Sequence, residues 1–156
     1  MEFENLSFGP KNEKLFKIIS STSAQLKIKS YIVGGFVRDN LIKLKSKKDI
    51  DIVAIGSGIE LALEVQKKLK GSKPVKIFKA FGTAMIRWKD TEIEFVGARK
   101  ESYSPQSRNP KVFSGTLEDD QNRRDFTINA IAVSLNKKDY GTLIDSFNGL
   151  NDLNKG

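Results

Sequence analysis

Histidine and cysteine are both missing from the 156 residues, and tryptophan (one), methionine (two) and proline (four) are scarce. The first two absences exclude the most chemistry. Without imidazole or thiolate there is no ordinary zinc site, no Ser-His or Cys-His nucleophile, no disulfide scaffold and no thiol redox couple. Any catalysis must rest on carboxylates, lysine, arginine, tyrosine or a hard metal ion. Long apolar runs are also lacking: no window approaches the roughly 18 apolar residues of a membrane span. Met1 opens onto Glu2, Phe3 and Glu4, not onto a basic and then apolar leader. A soluble, cytoplasmic protein with no membrane partner is expected, and the absence of cysteine fits that compartment.

What is present supports a folded chain. At this length one domain, 1–156, is the simplest reading, and such a domain buries roughly 68–70% of the surface its unfolded chain would expose. Ten phenylalanines and a charged fraction of 29% argue against wholesale disorder. The net charge is +8, and residues 1–48 hold ten Lys/Arg against four Asp/Glu, so most of the excess precedes residue 49. A polyanionic partner, nucleic acid above all, fits this imbalance, and so does a basic surface that serves solubility.

Periodicity predicts a helix over 11–27, a short strand at Tyr31, Ile32 and Val33, a turn at Gly34-Gly35 and a helix from Phe36 to about Leu44. A strand over 49–55 leads through Gly56-Ser57-Gly58 into a helix over 59–69. Three β-rich runs follow, 75–79, 84–89 and 92–97, joined by tight turns as in a meander. Residues 98–120 show no period and read as a long loop of the kind that compact domains keep for function or leave disordered. A helix is expected over 123–135, with Ile128, Ile131, Ala132 and Leu135 on one face, and then a short apolar piece at Leu143-Ile144. The order of elements predicts an α+β (mixed α/β) domain, a mixed sheet flanked by helices.

Within the strand over 49–55, residues two apart share a face, about 6.6 Å between Cα atoms. Asp49 and Asp51 therefore project together, opposite Ile50 and Ile52. Paired carboxylates at this spacing suit Mg²⁺ or Mn²⁺, and two such ions about 3.5–4 Å apart can serve phosphoryl transfer. A half-exposed edge strand with solvated acids explains the same residues. A third acid would tip the balance, and Glu92 and Glu94 repeat the alternation in a later strand; spacing does not choose between them. Gly34 and Gly35, between a strand and a helix, offer backbone N–H groups to an anion, and Arg38 could add a guanidinium. The pattern matches neither the P-loop nor the dinucleotide fingerprint. Arg123, Arg124 and Asp125 stand at a predicted helix start, with Asn129 one turn on; a cap explains Asp125 as well as a ligand role does. Two cations at a helix N-terminus are unfavourable unless an anion such as a polyphosphate binds there.

Taken in order, YIVGGFVRDNLI, KDIDIV, EIEFVGARKESY and LEDDQNRRDFTINAIA resemble the catalytic head of the class II tRNA nucleotidyltransferases, the CCA-adding enzymes, a head shared with bacterial poly(A) polymerases. The likeness spans roughly Tyr31 to Leu150, and four ordered motifs are far more specific than any one. It implies a polymerase-β-like nucleotidyltransferase head. It further implies that Asp49 and Asp51 bind two Mg²⁺ ions with Glu94, not Glu92, as the third carboxylate. Gly35 and Arg38 would hold the triphosphate in the Gly34-Gly35 turn, Arg124 beside Arg123 would contact phosphates, and Asp125 and Asn129 would lie near the ribose. Arg99 would begin a flexible loop that adjusts the site between CTP and ATP. The implied reaction is nucleotidyl transfer from CTP or ATP to the 3′-hydroxyl of tRNA. Poly(A) synthesis and CC- or A-addition share every motif, and a noncatalytic basic nucleic-acid-binding domain is the alternative of another class. The family selects its base with a neck helix bearing Glu-Asp-x-x-Arg, followed by body and tail; with Gly156 as the last residue, the chain is expected to be an isolated head, cut from a longer protein and weakly active alone.

Overall fold

Two layers result from two kinds of hydrophobic spacing. The computed structural model describes residues 8–41, 49–102, 111–114, 116–117 and 131–145. Helical spacing produces α1 (Gly9–Leu26), α2 (Gly35–Leu41) and α3 (Gly58–Lys68). Alternating or fully apolar runs produce the strands β1 (Lys29–Val33), β2 (Asp49–Ile55), β3 (Lys76–Phe78), β4 (Thr83–Trp88) and β5 (Thr91–Gly97). Four shorter strands follow, β6 (Arg99–Ser102), β7 (Lys111–Ser114), β8 (Ala132–Ser134) and β9 (Leu143–Ile144).

The Ser/Thr cluster inside α1 is a poor helix sequence, because hydroxyls compete for backbone groups. Here they are absorbed: Thr22 Oγ1 donates to Ile18 O and Ser23 Oγ to Ile19 O, both at 2.7 Å, and Ser23 also meets Ser30 Oγ of β1 at 2.8 Å. Ser57 caps α3 by accepting from the Glu60 N–H at 3.0 Å, worth about 1 kcal/mol.

Among the described residues the main sheet has the order β3-β4-β5-β2-β1-β8-β9. Its pairings are antiparallel except for β2 with β5, which run parallel. One sheet face carries Ile32, Ile50, Ile52, Ala84, Ile86, Ile93 and Phe95 and packs with Leu15, Phe16 and Ile19 of α1 and Leu61 and Val65 of α3, all buried. Each such side chain withdrawn from water contributes about 1.5–3 kcal/mol. The other face holds a smaller apolar cluster around Tyr31, Val33, Val53 and Ala132, and beyond it the acidic residues. Phe8, Phe16 and Phe36 cluster with centroids 5.1 to 5.8 Å apart, Phe8 stacked on Phe36 and both edge-on to Phe16, which ties α2 to α1. No helix among the described residues is long and apolar enough to cross a membrane.

Two sequence expectations fail here. Within the span 98–120, read from the sequence as a loop, residues 99–102 and 111–114 form strands: β6 and β7 pair antiparallel from Arg99↔Ser114 to Ser102↔Lys111. Their charged, short segments carry no apolar alternation, so backbone pairing has no signature in the sequence. The helix expected over 123–135 is also corrected at its end, where Ala132–Ser134 form β8, paired with β1 and β9. Every residue from Ile131 to Leu135 is buried, and a short, wholly buried strand looks the same as a buried helical turn in an apolar run. The rest of that expected helix, like residues 42–44 of the one after the glycine turn, lies outside the described residues.

Candidate active site

The register of β2 and β5 assembles the acids. Asp49 lies opposite Glu92 and Asp51 opposite Glu94, on strands about 4.8 Å apart. Strand alternation sends Ile50 and Ile52 (1% and 0% exposed) into the core and leaves Asp51 half-buried and Asp49 exposed on the opposite face. All four acids line one cleft of about 230 Å³ with Gly35, Phe36 and Met85. Burial raises the Glu94 carboxyl above the usual carboxylate range, and the negative charges of Asp51 and Asp49 raise it further. Like charges repel, and among the described residues no three acidic side chains are drawn into a closed set of metal ligands. The donor set is nonetheless all oxygen, on one rigid sheet face, and its mutual repulsion is what a divalent cation relieves.

The glycine turn borders this cleft. Gly34 has φ +81°, a left-handed conformation that costs other residues about 1–2 kcal/mol, and it turns the chain from β1 directly into α2. Gly35 then lines the cleft beside Phe36, whose ring is held by Phe8 and Phe16. Arg38 N–H bonds to Gly34 O at 3.3 Å, and Arg38 Nε donates to Asp39 Oδ1 at 3.1 Å. Asp39 is only 4% exposed. Sequence reasoning missed it, although a charge flanked by Val37 and Leu41 in a short helix is a signal of a buried partner.

Gly34, Gly35, Asp49, Asp51 and Glu94 are thus brought to one place, with Arg38 in the helix that follows the turn. Glu92, which spacing had left equal to Glu94, shares the cleft but pairs with Asp49. Met85 was missed as well; in β4 it is the register partner of Glu94. Arg99 begins β6 immediately after β5 and the linking Ala98. Arg123, Arg124, Asp125 and Asn129 lie outside the described residues.

A family model described as the Poly A polymerase head domain matches residues 30–156. The chain belongs to that family. The head domain is 47% identical over 126 residues to an A-adding tRNA nucleotidyltransferase of Aquifex aeolicus, covering 81% of this chain and 15% of that one. A solved CCA-adding enzyme in complex with CTP superposes with a TM-score of 0.79 at 36% identity, over 95% of this chain and 32% of the other. A solved tRNA nucleotidyltransferase with a primer tRNA and an incoming ATP analogue gives 0.74 at 40%, over 87% and 36%. The fold is that of the heads of these enzymes. The chain spans about a third or less of the curated relatives it matches.

Proposed function

We propose that the chain is the catalytic head of an enzyme that transfers a nucleotidyl group from CTP or ATP to the 3′-hydroxyl of tRNA, the CCA-adding reaction. The O3′–Pα bond forms, the bond from Pα to the bridging oxygen of the β-phosphate breaks, pyrophosphate leaves and the hydroxyl proton is lost. The observation that carries this reading is the convergence of Asp49, Asp51 and Glu94 on one sheet face, in a cleft bordered by the glycine turn. The similarity to enzymes solved with CTP, with tRNA and with an ATP analogue supports it.

Nucleotidyltransferases generally use divalent metal ions, and here Asp49, Asp51 and Glu94 are the residues that would hold them, two Mg²⁺ with Mn²⁺ as a substitute. Bound there, the ions would lower the pKa of the attacking hydroxyl and offset charge developing on the phosphates, which makes histidine unnecessary. The Gly34 turn would present backbone N–H groups, with Arg38 in the helix that follows, to the triphosphate, and Asp39 would hold the guanidinium by its partly buried ion pair. Family likeness assigns phosphate and ribose contacts to Arg123, Arg124, Asp125 and Asn129, and adjustment between CTP and ATP to the ribbon that Arg99 begins.

A-addition alone is the second reading, favoured by the 47% identity to an A-adding enzyme. The test supplies CTP and ATP separately to the full-length protein, with tRNA ending before its CCA and with tRNA ending in CC. CTP use on the first substrate together with ATP use on the second supports CCA addition; ATP use on the second with neither nucleotide taken by the first supports A-addition. No nucleotide transfer on either, in any divalent salt, refutes both.

A further inference from the structure

One face of the sheet changes sign from its centre to its edge. Strand registers set Asp51, Glu94, Met85 and Lys76 in one row across β2, β5, β4 and β3, and Asp49, Glu92 and Arg87 in the next. Lys73 lies beside Arg87, bonded N–H to carbonyl at 2.9 Å. Lys73, Lys76 and Arg87 line a groove of about 100 Å³ that shares Met85 and Glu92 with the acidic cleft, so the two are continuous. All three cations are exposed, and among the described residues none forms an ion pair. Phe78, two residues after Lys76 and so on the same strand face, is 45% exposed at the sheet edge. Exposed cations with an exposed aromatic ring are the combination that grips single-stranded nucleic acid, by phosphate contact and base stacking.

We infer that this β3–β4 groove is the track for the RNA primer, with Lys73, Lys76 and Arg87 holding the phosphates next to the 3′ end and Phe78 offering a face for a base. The inference rests on the nucleotidyl-transfer reading and deepens it. That reaction brings two polyanions to one acidic centre from opposite sides. The glycine turn and Arg38 stand on the α2 side of the carboxylates; the groove stands on the β4 side. Cations on that second flank are positioned for the other reactant, and the acids between them receive its terminal hydroxyl.

The test measures, on the full-length protein, the affinity for a fluorescein-labelled RNA hairpin with a single-stranded 3′ end, by anisotropy at several salt concentrations. Affinity for ATP with Mg²⁺ is measured in parallel, in wild type, in the triple variant Lys73→Ala/Lys76→Ala/Arg87→Ala, and in Phe78→Ala and Asp51→Ala. In the triple variant RNA affinity is expected to fall at least about tenfold, and the salt slope to lose about 0.7 for each phosphate contact removed. Phe78→Ala is expected to weaken RNA binding without changing the slope, and ATP affinity is expected to stay within about twofold in both. Unchanged RNA affinity in the triple variant, an equal loss of ATP affinity, or no RNA binding by wild type overturns the groove assignment. Loss of ATP binding in Asp51→Ala reports separately on the catalytic reading: if RNA binding depends on the groove while ATP binding ignores Asp51, the groove stands and that reading falls.

Discussion

Asp51 of β2 and Glu94 of β5 are direct partners across the parallel strand pair, each on the face turned away from the core. Burial in the cleft, and after it the negative charges of Asp51 and Asp49, raise the Glu94 carboxyl above its ordinary range. A carboxyl with a raised folded-state pKa binds more protons folded than unfolded, so its contribution is most favourable below the ordinary carboxylate pKa and is lost as pH rises through the raised one. Glu94→Gln removes that penalty. The metal-free variant is expected to melt slightly higher than wild type at pH 7, with the difference vanishing at acid pH. Wild type is expected to gain thermal stability from Mg²⁺ or Mn²⁺ and the variant to gain less. Thermal melts across pH, with and without the ion, check both; a variant that melts lower at pH 7 and responds fully to the metal contradicts them.

The turn before α2 depends on a conformation. Gly34→Ala forces a Cβ into φ +81°, at about 1–2 kcal/mol, and disturbs the segment that presents Gly35 to the cleft. Weaker ATP binding together with a lower melting temperature is the expected outcome, read by calorimetry. Unaltered binding would show that the turn does not shape the nucleotide site.

Gly97 is required by close approach, not by its φ. A Cβ there would lie 2.8 Å from Gly56 O, and one at Gly58 would lie 2.9 Å from Gly97 N. The end of β5 and the start of α3 can touch only because both lack side chains. Gly97→Ala is expected to cost about 1–3 kcal/mol by overpacking, a fall in melting temperature of several degrees for a domain of this size. An unchanged melt would mean that the backbone yields without cost.

Asp39 acts through Arg38. Asp39→Asn keeps the shape of the side chain but removes the charge that holds the guanidinium, and charge-assisted hydrogen bonds are worth about 1.5–3 kcal/mol. In the full-length enzyme the expected effect is a rise of about tenfold in the nucleotide KM with kcat less affected; an unchanged KM would falsify the positioning role.

The aspartate pair was legible in the sequence because strand alternation is strict: once Ile50 and Ile52 are in the core, Asp49 and Asp51 must share the other face. Alternation could not separate Glu92 from Glu94, since both point the same way. Register separates them as partners of Asp49 and Asp51, and register depends on how two strands align, which no local period encodes. The β6–β7 ribbon left no trace because residues such as Arg99, Lys100 and Glu101 show no apolar alternation. Ile131 to Leu135 misled for the opposite reason, since a run buried at every position has no period to read.

The central claim is that the acids of β2 and β5 carry metal-dependent nucleotidyl transfer, and the most direct measurement is incorporation of labelled nucleotide into tRNA by the full-length protein carrying Asp51→Ala. The account predicts that Mg²⁺-dependent incorporation is abolished while the variant remains folded by circular dichroism. Incorporation at the wild-type rate would contradict it.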